Sequence, residues 1–219
     1  NYRPISLLPV VSKIFERIIF DAIFKYMDQN RFFNPNQSGF RPGDSCIHQL
    51  ISITHDIHKN FDINLSHEVR GLFLDISKAF DWVWNKGLLY KIKNFGIEGK
   101  LFNLIESFLS DRFQRVTING QSSSWLPIKA GVPQGSILGP LLFLPFINDL
   151  PEGLHSNIKL VADDTAIFST ANTPIEIANE LTLDLEKIKS WALQWKMLFN
   201  RDQTKLIKEV VFSKKNNIV

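Results

Sequence analysis

The sequence lacks the residues for a disulfide framework and the apolar length for a membrane span. Cys46 is the only cysteine among 219 residues, so no disulfide can form within the chain, and a reducing intracellular compartment is the simpler expectation. The most apolar run, residues 141–147, is far shorter than the roughly 20 residues that cross a bilayer, and Pro145 interrupts it. We therefore expect no membrane segment. The chain also has no repetitive or long polar tract, which argues against disorder and against a solenoid.

Enough apolar residues are present to build a globular core. Hydrophobic residues make up 44% of the chain and aromatic residues 12%, which suits a compact protein with subdomains. The formal net charge of +3 is compatible with a polyanionic partner but cannot establish one. The chain begins without Met and without a signal-like segment, so we expect an internal piece of a longer protein.

Hydrophobic periodicity and turn residues predict a mixture of helices and antiparallel strands. In chain order, the pattern predicts a helix over 11–27 with Ser12 as its N-cap, a loop over 34–43, a helix over 47–61, a buried strand over 69–76, helices over 88–95 and 101–109, a hairpin over 112–128 around Asn119-Gly120, a helix over 136–148, a hairpin over 157–169, a helical stripe over 181–195 and a strand over 209–213. Pro145 predicts a kink or an end in the helix over 136–148. This order indicates the α+β class rather than a doubly wound parallel sheet.

Three aspartates lie at or beside the predicted apolar strands. Asp75 follows one strand, whereas Asp163 and Asp164 lie at the tip of the hairpin over 157–169. An ionised carboxylate beside an apolar sheet is costly unless it is paired, protonated or bound to a cation, and adjacent carboxylates repel each other. Oxygen-rich clusters suit Mg²⁺ or Mn²⁺, and two such ions can activate a hydroxyl and stabilise a departing pyrophosphate. Taken alone, however, an Asp-Asp pair is more often a structural turn.

Six blocks of sequence, taken in order, favour a metal site over a structural turn for these aspartates. They are NYRPISLL at 1–8, SGFRPG at 38–43, FLDISKAFD at 73–81, GVPQGSILGP at 131–140, ADDT at 162–165, and NRDQTK with VFSK near the end. Together they resemble the reverse transcriptases of non-LTR retrotransposons of the LINE-like, jockey type. The resemblance covers nearly the whole chain, and the shared order makes it specific although each block alone is weak.

The resemblance implies a right-hand polymerase, with fingers over 1–68, a palm over 69–219 and the thumb outside the chain. The palm is then an antiparallel sheet packed on helices. The implied function is RNA-directed DNA polymerase, which adds deoxynucleotides to a primer 3′-hydroxyl on an RNA template with two Mg²⁺ or Mn²⁺ ions and serves retrotransposition. The implied partners are the RNA template, the DNA primer, dNTPs, the thumb and an endonuclease domain of the same polyprotein. The implied location is the nucleus and cytoplasm.

The same resemblance assigns the metal-binding and catalytic residues. The first Asp of FLDISKAFD and the first Asp of ADDT are the family's metal ligands, which correspond to Asp75 and Asp163, with Asp164 as the accompanying acid. The backbone carbonyl of Ile76 adds an oxygen ligand. Lys205 lies in the region from which the family draws a lysine near the pyrophosphate, where it could act as a general acid.

Other residues are expected to contact the incoming nucleotide. Phe80 corresponds to the steric gate, a ring that would collide with a ribose 2′-hydroxyl, and Ala79 precedes it. Gln134 and Gly135 lie in the turn near the nucleotide and the template. Arg41 resembles the fingers arginine that contacts the triphosphate, because a forked guanidinium suits phosphate oxygens. An ordinary core aromatic, a helix-initiating turn and an exposed loop arginine are the structural alternatives for these residues.

Two other functions stay open at this stage. The first is a catalytically inactive or decayed palm that only binds nucleic acid, and the second is an RNA-dependent RNA polymerase, which shares the palm carboxylates. The aspartates argue against the inactive palm because none of them is lost, and Phe80 argues against an RNA polymerase. Val161 departs from the family pattern, because many members carry an aromatic residue two positions before the first aspartate of the pair.

Overall fold

The computed structural model describes residues 5–63, 68–171, 173–199 and 208–213. The helices in these ranges are α1 (Val10–Gln29), α2 (Cys46–Ile63), α3 (Ala79–Trp82), α4 (Asn85–Asn94), α5 (Gly99–Leu109), α6 (Leu138–Ile147) and α7 (Pro174–Trp195). The strands are β1 (Glu68–Asp75), β2 (Phe113–Gln114), β3 (Thr117–Ile118), β4 (Gln121–Ser122), β5 (Leu126–Pro127), β6 (Asn157–Val161), β7 (Asp164–Ser169) and β8 (Lys208–Ser213). Each predicted helix, strand and hairpin overlaps one or more of these elements.

Two local predictions differ from the structure. Ser12 is not the N-cap of α1, because the helix begins at Val10 directly after Pro9, whose side chain makes no capping hydrogen bond. Ser12 lies inside the helix, and its hydroxyl faces the carboxylate of Glu16 at 3.5 Å. Pro145 does not end α6, because the helix continues for two more residues to Ile147, and a kink at Pro145 stays a prediction.

The chain divides into two compact units, each built from two segments. The helical unit comprises Asn1–Phe33 and Lys78–Ile147, and the sheet unit comprises Asn34–Ser77 and Asn148–Val219. The helical unit draws one segment from either side of residue 68, and the first segment of the sheet unit contains that residue. The expected division into fingers and palm at residue 68 therefore does not follow these units and stays a prediction. None of the helices in the described ranges combines the length and apolar character that crossing a membrane requires.

The sheet unit contains a four-stranded sheet in the order β6-β7-β1-β8, with antiparallel neighbours throughout. Leu72 and Leu74 of β1 are buried, whereas Phe73 between them is 39% exposed, so successive side chains alternate between a packed face and an open face. The long helix α7 packs against β7. Thr173 caps this helix by accepting a hydrogen bond from the Glu176 amide, and a proline follows at the first helical position, where its missing N–H costs nothing.

The helical unit is built around α6, which packs against α1 and α4. Nine of its ten residues are buried, as expected for a helix that is apolar on all sides. Glu16 of α1, only 2% exposed, accepts hydrogen bonds from the amides of Ile137 and Leu138 at 2.8 and 3.2 Å. A carboxylate at this position satisfies the first amides of α6 and interacts favourably with the helix dipole.

The segment over 112–128 forms two short antiparallel ladders, β2 with β5 and β3 with β4. The turn at its tip is Asn119-Gly120, and both residues have positive φ angles, 49° and 79°. This is the geometry of a type I′ hairpin turn, which the Asn-Gly pair favours. The predicted hairpin is therefore confirmed.

Candidate catalytic carboxylates and nucleotide-binding residues

Strand pairing brings two of the three predicted aspartates together in the sheet unit. β1 and β7 are antiparallel, and Asp75 at the end of β1 lies directly opposite Asp164 at the start of β7. Residues directly opposite in an antiparallel pair have Cβ atoms about 4.5–5.5 Å apart on one face of the sheet. The carboxylates of Asp75 and Asp164 therefore share a face, which is the open face that also carries Phe73.

The third aspartate occupies the turn between β6 and β7. Val161 pairs with Asp164, which leaves Ala162 and Asp163 as a two-residue turn. Ala162 adopts a φ of 58°, in the left-handed region that a residue with a Cβ seldom occupies. Two acids at the tip of a hairpin is the arrangement that the sequence predicted.

The three carboxylates interact electrostatically. Partial desolvation raises the pKa of Asp164 above its ordinary value, and the negative charges of Asp163 and Asp75 raise it further. Each neighbouring charge disfavours ionisation of the Asp164 carboxyl group. A cation bound between these groups would reverse that effect, since it favours the ionised form of all three.

Divalent metal ions fit this donor set. Among the described residues, no three His, Cys, Asp or Glu side chains already enclose a position for a metal ion. Mg²⁺, however, usually binds one or two carboxylates, and waters and substrate phosphates complete its coordination. Hard oxygen ligands in a negative cluster therefore match a metal that arrives with a phosphate-bearing substrate.

A cavity of about 480 Å³ lies beside the carboxylates in the sheet unit. Its lining is largely apolar and includes Leu50 and Ile53 of α2, Phe73 of β1 and Ala166 of β7, together with Asp75 and Asp164. Lys159 also lines it, with its Nζ 2.9 Å from the Ser52 hydroxyl and 3.0 Å from the Asp56 carboxylate. The carboxylates thus lie at the edge of an apolar recess.

The predicted nucleotide-binding residues of the helical unit pack around the turn that precedes α6. Phe80 is half-buried, and its ring stacks on Phe143 with centroids 4.8 Å apart. Gln134 donates a hydrogen bond from Nε2 to Asp81 at 2.9 Å. At Gly135 φ is 92° and an added Cβ would lie 3.0 Å from the Ser6 carbonyl, so the turn has little room for a side chain.

The remaining predicted site residues fall in different environments. Ile76 is buried and forms an isolated bridge with Phe199, and Ala79 is buried at the start of α3. Arg41 donates from Nη1 to the carbonyl oxygens of Asn34 and Gln37, at 3.4 and 3.2 Å, so its guanidinium faces its own loop. Lys205 lies outside the described residues.

The sequence alone did not identify three polar residues near these groups. They are Gln37, which bonds to the acidic turn, Glu16, which caps α6, and Asp81, which bonds to Gln134. For Glu16 the sequence does carry a signal, because this acid lies among the apolar residues that recur at helical spacing along α1. For Gln37 the only signal is its position directly before the SGFRPG block.

Comparisons with known proteins agree with this architecture. Residues 1–213 match the family described as "Reverse transcriptase (RNA-dependent DNA polymerase)". The RNA-directed DNA polymerase from mobile element jockey of Drosophila melanogaster is 34% identical over 216 residues, which cover 93% of this chain and 23% of that protein. The corresponding protein of Drosophila funebris is 37% identical over 211 residues, which cover 91% of this chain and 22% of that protein. The chain thus spans under a quarter of the length of these relatives.

A solved structure supports the fold independently of sequence. Apo telomerase from Candida tropicalis, truncated from its C-terminal domain, superposes with a TM-score of 0.63 over 92% of this chain and 41% of that chain, at 13% identity. The predicted α+β fingers-and-palm fold is therefore confirmed. The chain belongs to the reverse transcriptase (RNA-dependent DNA polymerase) family, and its relatives are the polymerases of jockey and other non-LTR retrotransposons.

Proposed function

We propose that this chain carries the polymerase site of an RNA-directed DNA polymerase that extends a primer 3′-hydroxyl with deoxynucleotides on an RNA template. The observation that carries this proposal is the register of β1 with β7, which sets Asp75 opposite Asp164 and beside the turn that holds Asp163. A family match over residues 1–213 supports it. Retrotransposition is the process that such a polymerase serves.

Asp75 and Asp163 are the principal metal ligands in this proposal, and Asp164 supports them. Two Mg²⁺ ions, or Mn²⁺ in their place, would lower the pKa of the attacking hydroxyl and stabilise the negative charge of the departing pyrophosphate. The chain's own contribution is to hold the carboxylates of Asp75 and Asp164 on one face of the sheet, with Asp163 in the adjoining turn. The Ile76 carbonyl directly follows Asp75 and provides a further oxygen ligand.

Further residues select and orient the nucleotide in this proposal. Arg41 binds the triphosphate, for which its guanidinium must turn away from the carbonyls that it contacts here. Phe80 excludes a ribose 2′-hydroxyl, and its stacking on Phe143 fixes the ring. Gln134 and Gly135 contact the nucleotide and template, Ala79 supports Phe80, and Lys205 donates a proton to the pyrophosphate.

The partners follow from the reaction and from the length of the relatives. They are an RNA template, a DNA primer and dNTPs, with a thumb and an endonuclease domain contributed by the same polyprotein. The polymerase acts in the nucleus and cytoplasm. Because the chain covers under a quarter of the curated relatives, activity is tested in the longest polypeptide that carries it.

Primer extension tests the proposal. Wild type should extend oligo(dT) on poly(rA) with Mg²⁺ or Mn²⁺, and Asp163→Asn should abolish the extension. Asp28→Asn makes the same chemical change on an exposed position of α1 and should leave extension intact. Extension that does not depend on Asp163 would exclude the proposed site, and preference for ribonucleotides would favour an RNA polymerase. Template binding without extension in every variant would favour the inactive palm.

A further inference from the structure

The loop over 36–39 lies along the outer edge of β6, the edge strand of the sheet. Ser38 donates its amide proton to the Leu160 carbonyl, and Leu160 donates to the Asn36 carbonyl, at 2.9 and 2.8 Å. Gln37 and Leu160 thereby form a parallel bridge. The loop covers an edge that would otherwise present unpaired backbone groups.

Within this loop, the Gln37 side chain binds the backbone of the acidic turn from both sides. Its Oε1 accepts the amide proton of Ala162 at 2.9 Å, and its Nε2 donates to the Ala162 carbonyl at 3.0 Å. The same Oε1 accepts from the Gly39 amide at 2.7 Å. Gln37 is 3% exposed, so its end of these bonds is buried, and the bonds replace the pairing that a neighbouring strand would give.

Ala162, the residue to which the Gln37 side chain is hydrogen-bonded, has a strained backbone conformation. Ala162 has a φ of 58°, which costs an L-residue energy relative to the right-handed region, and the carboxylates of Asp163 and Asp164 follow directly. A turn of this kind persists when its surroundings fix it. The paired bonds from Gln37 hold the Ala162 peptide groups on both sides of its Cα and therefore fix the direction in which the chain enters Asp163.

Close packing leaves no freedom at this contact. A Cβ added to Gly39 would lie 2.0 Å from the Ala162 nitrogen and 2.7 Å from its Cα. Both are backbone atoms that cannot rotate away, so the residue at this position has to be glycine. The loop thus contacts the turn through hydrogen bonds at Gln37 and through direct backbone packing at Gly39.

We infer that Gln37 is a positioning residue for the acidic turn, whose side-chain amide holds Ala162 so that Asp163 and Asp164 present their carboxylates beside Asp75. This role rests on the proposed metal-binding function of the three aspartates. The Gln37 carbonyl also accepts a hydrogen bond from Arg41, so the same residue connects the turn to the expected triphosphate ligand.

Gln37→Met tests the inference because methionine has a similar length and volume but cannot form these hydrogen bonds. The matched control is Gln49→Met, since Gln49 is 5% exposed and its side-chain hydrogen bonds go to Ser38 and Asn36 of the same loop rather than to Ala162. Both variants are expected to lower the melting temperature. Only Gln37→Met should change the turn and its metal affinity.

Two measurements are made on each variant of this chain. Hydrogen exchange of the Ala162 amide, followed by NMR, should accelerate about tenfold or more in Gln37→Met, because that amide loses its acceptor. The affinity for Mn²⁺, followed by EPR of the free ion, should weaken about tenfold or more, because the carboxylates lose their alignment. Gln49→Met should match wild type in both measurements.

The outcomes separate this inference from the proposed function. Unchanged exchange at Ala162 in Gln37→Met overturns the inference, and so does faster exchange with unchanged Mn²⁺ affinity. If both changes also occur in Gln49→Met, Gln37 has only a general structural role. If wild type binds Mn²⁺ no better than Asp75→Asn does, the proposed metal site fails, and the exchange of Ala162 alone then decides whether Gln37 holds the turn.

Discussion

Asp164→Asn should stabilise the metal-free protein at neutral pH. Asp164 faces Asp75 across the β1–β7 pair and follows Asp163, and partial desolvation with these two charges raises its pKa. A raised folded-state pKa means that the folded protein binds the proton more tightly than the unfolded chain does. Stability is therefore lost as the pH rises from the ordinary pKa of an aspartate through the raised value. Asparagine carries no charge and removes this loss.

The magnitude follows from the geometry of the pair. Opposed cross-strand side chains interact by roughly 0.2–1 kcal/mol, and water access to the Asp164 carboxylate keeps the repulsion within that range. For a protein of this size, 1 kcal/mol corresponds to about 2–4 °C in melting temperature. We expect Asp164→Asn to melt up to a few degrees above wild type at pH 7 without divalent ions. The difference should vanish as the pH falls below the ordinary aspartate pKa.

Divalent ions should reverse the order of stability. A ligand at ten times its dissociation constant stabilises the folded state by about 1.4 kcal/mol, and the variant binds the ion more weakly. Calorimetry at several pH values, with EDTA or with Mn²⁺, measures both effects. Glu106→Gln removes one charge from an exposed position of α5 and should show neither. The reasoning is refuted if Asp164→Asn melts below wild type in EDTA at pH 7, or if its advantage is independent of pH.

Three further predictions concern other residues. Glu16→Ala leaves two amides at the start of α6 without their buried acceptor and should destabilise the protein by about 2–3 kcal/mol in urea unfolding, whereas an effect near zero would mean that water replaces the carboxylate. Gly39→Ala should cost about 1–3 kcal/mol or more, because its Cβ overlaps the Ala162 backbone; a neutral substitution would contradict the described packing. Phe80→Val should raise ribonucleotide incorporation in primer extension, and an unchanged sugar preference would count against the steric gate.

The local elements were predictable because their signals are local. Helical periodicity located α1 and α2, and Asn119-Gly120 located the hairpin turn, since only a few residue pairs suit its positive φ angles. The N-cap of α1 was wrong because a serine in the first turn resembles a cap in sequence, while Pro9 determines where the helix begins. Propensity cannot distinguish two starts that lie so close together.

The apolar stripe of α2 did not predict which of its side chains are exposed. Ile47, Leu50 and Ile51 belong to that stripe, yet they are 68%, 62% and 62% exposed. Burial depends on what a helix packs against, and that is a property of the tertiary fold. The sequence pattern therefore predicted that α2 is a helix but not which of its faces is buried.

The site was predictable in its members but not in their arrangement. The family blocks supplied Asp75, Asp163 and Asp164, whereas the register that opposes Asp75 to Asp164 comes from the pairing of distant strands. The contact of Gln37 with Ala162 joins residues 125 positions apart. Nothing in the local sequence of either residue encodes that contact, so it emerges only when the loop and the hairpin pack together.

The most direct test of the metal-binding carboxylates is the rate of single-nucleotide addition by Asp75→Asn in the longest polypeptide that carries this chain. Metal ions contribute several kcal/mol of charge stabilisation, so loss of a ligand should slow the addition by about 10³-fold at saturating primer, template and dTTP. Asp28→Asn should react at the wild-type rate. Addition by Asp75→Asn at a rate close to wild type would contradict the assignment of the carboxylates to catalysis.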